Sequence, residues 1–180
     1  MTSLLREYLP TAPDLGLYVV PDIPRAKLSA ALGDYARDLD PGEVVALYDA
    51  TRLGSAKDGA VFLPDRVVFQ NNDLQPARTI RYADIVGVRS KRELQGGRGV
   101  EIEHNRARAT VTETLDFSGQ PGAAEYVERV LQQALALGGV GSEPAGATDP
   151  DAVRAALNRL VQHGALTAGD RDRMLDVLRG

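Results

Sequence analysis

The fold is decided by residues 100–117, which read VEIEHNRARATVTETLDF. From Val100 to His104 every second residue is a glutamate. From Thr110 to Phe117, apolar Val111, Leu115 and Phe117 are opposed to polar Thr110, Thr112, Thr114 and Asp116. This period of two predicts antiparallel strands with one buried and one solvated face. Beyond Pro121 the period becomes helical, with an apolar stripe made of Ala123, Val127, Val130, Leu131, Ala134 and Leu137.

Upstream, short apolar runs separated by turn residues predict further strands at 17–20, 44–48, 61–63, 67–69, 79–82 and 85–89. An apolar stripe predicts a helix over Arg25–Leu39, and the rest of the first 24 residues reads as extended or irregular. About seven strands from residue 44 onward, followed by one amphipathic helix, indicate an α+β protein. We expect a small antiparallel barrel or sandwich with the helix across its open end.

Composition restricts the function. The chain has 180 residues, 43% of them hydrophobic, which is enough for a core of ordinary size. It has no cysteine, so disulfides, thiolate metal sites and cysteine nucleophiles are excluded, and a reducing compartment is compatible. No segment reads as a signal peptide or a membrane-spanning helix. We therefore expect a cytoplasmic protein.

Charge is unevenly distributed along the chain. The net charge is −4, yet residues 78–108 hold eight basic and four acidic residues, which leaves −8 for the remainder. Four cations surround the glycine loop of residues 95–99, namely Arg89, Lys91, Arg92 and Arg98. They could contact an anionic lipid head group, or they could be ordinary solvated strand charges interleaved with glutamates. Nucleic acid is not expected, because 5% aromatics and no tryptophan offer few stacking platforms.

The segment GSAKDG, residues 54–59, allows two interpretations. Backbone N–H groups of Gly54, Ser55 and Gly59, with the charge of Lys57, could bind an anion. The spacing does not match the nucleotide-binding loop. The alternative is an Asp-Gly turn between two strands, which needs no ligand.

No constellation for catalysis is found. The two histidines, His104 and His163, are 59 positions apart, and no carboxylate lies at metal-ligand spacing. The carboxylate pairs Glu101/Glu103 and Asp170/Asp172 are predicted to be solvated, whereas acid–base chemistry favours buried ones. We expect no catalytic, cofactor or metal site, and we expect a buried or edge-strand His104 to be satisfied by the protein itself.

The end of the chain reads as a separate module. Residues 138–149 are mostly glycine, alanine and small polar residues, which predicts a flexible linker. Residues 150–180 predict a two-helix hairpin, with a capping box at Thr167 and Asp170. A hairpin of this size cannot support itself and must pack on the β-domain, on a second copy or on a partner. Its predicted assembly face consists of Val153, Leu157, Leu160, Val161, Leu166, Met174, Leu175 and Leu178.

Two resemblances to known families add to this interpretation. The stretch LYDATRLGSAKDG at 47–59, with the helix beginning IPRAKL at 23–28, resembles bacterial pleckstrin-homology-like (PH-like) or GRAM-like domains. That resemblance covers residues 16–137 and implies seven strands in two sheets, followed by a helix across one end. The tail is similar to the SHOCT module, a short C-terminal helical hairpin. The residues that match are Leu157, Leu160, Gly164, Leu166, Thr167 and Asp170, and Arg171 stands where an aromatic residue is usual.

Neither family carries a general catalytic activity, and both imply binding or assembly. The expected organisation is an N-terminal segment and helix packing on the barrel (1–40), a PH-like domain (41–137), a linker (138–149) and a SHOCT-like hairpin (150–180). The function expected is a non-catalytic intracellular interaction or adaptor module with a protein partner. Its tail would promote homo-oligomerisation or docking. The alternative is weak peripheral binding to an anionic membrane, or another polyanion, through the basic loop.

Overall fold

The structure is a computed structural model that describes residues 1–92 and 97–141, with side chains to residue 137. The chain divides into two compact units, Met1–Ser142 and Glu143–Gly180, and the described residues all belong to the first. That unit contains three α-helices: α1 (Thr2–Tyr8), α2 (Arg25–Gly33) and α3 (Pro121–Gly141). Its strands are β1 (Leu17–Val19), β2 (Ala46–Asp49), β3 (Gly59–Phe62), β4 (Arg66–Gln70), β5 (Arg78–Arg81), β6 (Ile85–Arg92), β7 (Arg98–Arg106) and β8 (Ala109–Asp116).

The strands form two antiparallel sheets. One has the order β1-β2-β3-β4-β5 and the other the order β6-β7-β8. The predicted α+β class, antiparallel strands and packed C-terminal helix are confirmed. Within the described residues the two sheets are hydrogen-bonded separately, and a closed barrel is not seen.

The main core lies between the sheets and is completed by helices. The stripe of α3 from Ala123 to Ala134 is buried in it, as are Leu5 and Leu9 at the N-terminal end of the chain. Tyr48 of β2 packs against Phe117 with ring centroids 4.6 Å apart. Burial of this stripe explains why α3 is amphipathic.

A second core covers the other face of the five-stranded sheet. Leu47, Val61 and Val68 point into it and pack with residues of α2 and of the segment that follows α2. Their strand neighbours point into the main core instead. Strands β2 and β3 are therefore buried along their whole length, which explains their continuous apolar runs.

Helix boundaries differ from the prediction at three places. Thr2–Tyr8 is helical rather than extended or irregular, because Leu5 anchors it in the core. Helix α2 ends at Gly33 instead of Leu39, since Asp34 leaves the helical conformation with φ −111° and ψ −89°. Helix α3 continues to Gly141, four residues into the predicted linker.

Candidate functional site

The predicted basic cluster lies on β6 and β7, where it faces glutamates. Arg89 Nε is 2.7 Å from Glu101, Arg89 Nη1 is 3.3 Å from Glu103, and Lys91 Nζ is 3.3 Å from Glu101. The hydrogen bond from Arg89 lowers the pKa of the Glu101 carboxyl, and the same bond raises the pKa of Arg89. These two cations are therefore neutralised on their own hairpin.

The remaining two cations face each other in the strand register. Arg92 pairs with Arg98 across β6 and β7. Arg98 Nη1 lies 2.6 Å from Glu125 of α3, whereas no ion pair of Arg92 is found in the described part of the chain. Three of the four predicted contact residues thus have acidic partners within the domain, which favours their interpretation as ordinary surface charge.

The predicted anion loop uses its backbone donors internally. Residues 50–58 connect β2 to β3, and Gly54 N donates to Thr51 O at 3.2 Å. Ser55 N donates to Thr51 Oγ1 at 2.7 Å. Two of the three N–H groups considered for an anion are therefore occupied. Lys57 is exposed, and no ion pair of its side chain is found among the described residues.

The segment connects two strands, as the second interpretation expected, but its Asp-Gly pair does not itself form the turn. Gly59 is the first residue of β3 and pairs with Asp49 and Gln70 in the ladder. Its φ of +138° suits glycine, and a Cβ there would collide with the backbone of Tyr48. The glycine is needed for close approach of two strands.

A buried carboxylate organises this loop. Asp49 is only 2% exposed, and its Oδ1 accepts from Thr51 N at 2.9 Å, Thr51 Oγ1 at 2.5 Å and Ala56 N at 3.2 Å. Its Oδ2 accepts from Lys27 Nζ of α2 at 2.5 Å. Lys27 also donates to Gly54 O at 2.6 Å. Asp49 therefore joins a strand, a loop and a helix.

The electrostatics of this pair indicate a structural role. Partial burial acts to lower the pKa of Lys27, but the hydrogen bond and the charge of Asp49 outweigh it, so that pKa is raised. The ammonium also lies 5.3 Å from the centre of the Tyr18 ring. Sequence inspection missed the pair because its members are 22 positions apart. Lys27 and Asp49 lie in the two segments that carry the PH-like resemblance, and that resemblance was the signal that could have pointed to the pair.

Two leucines stand at the tips of neighbouring loops. Leu53 in the β2–β3 loop is 97% exposed, and Leu74 in the β4–β5 loop is 95% exposed. Because Asp49, Gly59 and Gln70 lie side by side in the register, both loops leave the sheet at the same end. We call Leu53 and Leu74 the leucine tips. Exposed apolar side chains mark a contact surface where they form a contiguous patch, and the two loops place both leucines at one end of the sheet.

A cleft of about 750 Å³ lies between β5 and the β7–β8 hairpin. One side is formed by β5 and the other by residues 104–107 and Glu113. Arg78 Nε lies 3.4 Å from Glu113, and Arg81 Nε lies 2.9 Å from Asp84. The first pair joins the two sides of the cleft, whereas the second lies within one side.

The most buried polar residue that lines the cleft is His104. Its side chain is buried, with 6% exposure, and its Nε2 has no hydrogen-bond partner among the described residues. The expectation that the protein satisfies this histidine is therefore wrong for Nε2. A buried polar atom of this kind is destabilising until something bonds to it.

Other predicted features fall elsewhere. In residues 1–92 and 97–141 no group of three or more side chains is arranged to hold a metal ion. No helix in the same residues is long and apolar enough to cross a membrane. The eight tail residues of the predicted assembly face, from Val153 to Leu178, lie outside the described residues, as does His163.

Comparison with models of known protein families, with curated proteins and with solved structures finds no match in any of the three. The resemblances to PH-like and SHOCT domains therefore stay predictions. The function has to be inferred from the surfaces of the molecule.

Proposed function

We propose that this chain is a non-catalytic PH-like interaction module that recognises a protein partner through its leucine tips. The observation that carries the proposal is the nearly complete exposure of Leu53 and Leu74 at one end of the five-stranded sheet. If β1 is set aside, four strands, three strands and a helix follow in the order that a PH-like domain implies. The architecture supports the resemblance, and the leucine tips supply the binding surface.

The loops that carry the leucine tips are held in defined positions. Asp49 and Thr51 fix the β2–β3 loop through four backbone and side-chain donors. Asp58 of the same loop accepts from Gln70 at 3.3 Å, and Leu74 N donates to Asn72 in the next loop. A surface that is ordered before binding loses less conformational entropy when it binds. Burying one leucine side chain contributes roughly 2 kcal/mol, so the two anchors contribute to a contact in which other buried groups must also offset the entropy of association.

The charge distribution favours a protein partner over an anionic membrane. Arg89, Lys91 and Arg98 have acidic partners on the domain surface. Each cation near an anionic bilayer contributes about 1 kcal/mol, and neutralised cations contribute less. Membrane binding through the basic hairpin is therefore the weaker candidate.

The proposal is tested by comparing partner capture by the wild-type chain and by a Leu53→Ser/Leu74→Ser variant. We expect the variant to lose at least one abundant protein that the wild-type chain captures. Its affinity for that protein should be reduced at least about tenfold, because two leucine anchors are lost. Leu137→Ser is the matched control, because that leucine is also exposed but lies on α3. Identical capture by all three chains would refute the proposal.

Binding to vesicles of anionic lipid is the second test of the proposal. If the wild-type chain binds them and Arg92→Glu abolishes binding while the leucine variant does not, the membrane alternative is right and the protein-partner proposal is wrong.

A further inference from the structure

We propose that the cleft beside β5 binds an extended, acidic segment of a partner protein, which adds as a strand to the free edge of β5. The inference rests on the proposed role in protein recognition but uses a surface separate from the leucine tips. It follows from the backbone of β5, the edge of β8 and the charge of the cleft.

The edge of β5 is open to the cleft. In the five-stranded sheet β5 pairs with β4 alone. Tyr82 N donates to Asp65 O at 3.0 Å, and this bond shows which residues of β5 are hydrogen-bonded to β4. In an antiparallel strand, alternate residues direct their backbone groups to the same neighbour. Ile80, two residues before Tyr82, therefore bonds to β4. Thr79 and Arg81 direct their N–H and C=O groups away from β4. Both residues are exposed and line the cleft.

The outer edge of β8 is already hydrogen-bonded to a side chain that takes the place of a neighbouring strand. Asn71 Nδ2 donates to Thr114 O at 2.7 Å, and Asp116 N donates to Asn71 Oδ1 at 3.0 Å. The side-chain amide thus makes the pair of bonds that a neighbouring strand would make. By the same alternation, Thr112 directs its backbone groups to that edge farther along β8. Added strands bind edges of this kind through their main-chain groups.

The charge of the cleft selects an acidic occupant. Its lining has three arginines against two carboxylates. Arg78 and Arg81 are paired with those carboxylates, and Arg106 has no ion pair in the described part of the chain. An acidic side chain on the added segment would pair with Arg106.

The first experiment selects short random peptides on a display library with the full chain as target. Thr79→Pro is the counter-target, because proline removes the N–H that faces the cleft and leaves the bonds to β4 in place. We expect an enriched consensus with glutamate or aspartate at alternate positions. No enrichment over the counter-target, or a basic consensus, would overturn the inference.

The second experiment titrates the isotope-labelled chain with the enriched peptide. We expect slower amide exchange at Thr79 and Arg81, which a merely electrostatic contact would not produce. Arg106→Glu should weaken binding at least about tenfold through charge repulsion. Arg108→Glu is the matched control, because Arg108 is exposed on the same hairpin but does not line the cleft.

The outcomes separate the inference from the proposed function. Unchanged exchange at Thr79 and Arg81, or equal effects of the two arginine variants, rejects strand addition even if the leucine tips capture a partner. Citrate binding that depends on Arg106 and leaves those amides unprotected identifies a small-anion site and also overturns the inference. If Thr79→Pro does not fold, the two arginine variants still decide.

Discussion

At the scale of single residues, Asp49 connects the parts of the chain that carry the PH-like resemblance. Its carboxylate is buried and accepts from Thr51, Ala56 and Lys27. Replacement by asparagine removes the charge and leaves the Lys27 ammonium without its partner. We expect Asp49→Asn to lower the free energy of unfolding by about 3 kcal/mol, measured by urea denaturation at neutral pH. The control Asp38→Asn, at an exposed position, should change it by less than about 0.5 kcal/mol.

Buried tyrosines make the stability of the domain sensitive to alkaline pH. Burial raises the pKa of Tyr35, Tyr48 and Tyr82 above the ordinary value, and the hydroxyls have no partner among the described residues. When folding raises the pKa of a group, that group contributes its full stability at pH values below its unfolded-state pKa. This contribution is lost as the pH rises through the folded-state pKa. The stability contributed by Lys27 changes with pH in the same direction, because its pKa is also raised.

We therefore expect the free energy of unfolding to fall steeply above a pH of about 10, where unfolded tyrosine ionises. Urea denaturation across the alkaline range measures this, and ultraviolet absorbance of tyrosinate follows the ionisation. The three buried tyrosines should ionise together with unfolding. Gradual ionisation of all six tyrosines of the chain in the folded state would contradict the expectation.

At the scale of elements, one glycine decides how β2 and β3 meet. Gly59 has φ +138°, and a Cβ would be in contact with the Tyr48 backbone. Gly59→Ala should lower the free energy of unfolding by at least about 2 kcal/mol, by backbone strain and displacement of the strand. Gly33→Ala is the control, because a Cβ meets nothing within 4 Å at that helical position. It should raise stability by about 0.5 kcal/mol, as thermal unfolding of both variants would show.

The same scale shows why some elements could be predicted from the sequence. Strand β7 alternates because its outer face carries the charged residues Glu101 and Glu103 while its other face is buried, so its period is visible. Strands β2 and β3 are buried on both faces, and only the length of their apolar runs identified them. Helix α1 has seven residues and no side-chain cap, so little in its sequence distinguishes it from a loop.

Functional surfaces were less accessible to prediction, because they depend on residues that are distant in the chain. The loops of Leu53 and Leu74 lie at the same end of the sheet only because of the register of β2, β3 and β4. The cleft joins β5 to hairpin residues that lie more than twenty positions away in the chain. The basic segment was visible in the sequence, but its pairing with Glu125 of α3 was not. Charge counts along a chain do not reveal which charges are neutralised by the fold.

At the scale of the whole molecule, the unit Met1–Ser142 contains both proposed surfaces, and the second unit begins at Glu143. The predicted role of that second unit is assembly. The hairpin predicted for residues 150–180 would have too many apolar residues, such as Leu157 and Leu175, to bury against itself. Burying three or four such side chains, at roughly 2 kcal/mol each, could sustain a dimer despite the entropy lost on association.

Truncation tests the predicted assembly role of the tail. We expect the full chain to be oligomeric and a chain ending at Ser142 to be monomeric, as measured by light scattering, because the apolar tail residues would be lost. Leu157→Asp should dissociate the oligomer by placing a charge in the contact. The same variant should leave the unfolding transition of Met1–Ser142 unchanged, since that unit has its own two cores. If both chains are monomeric and the tail amides are protected from exchange, the tail packs on its own chain and the assembly prediction is wrong.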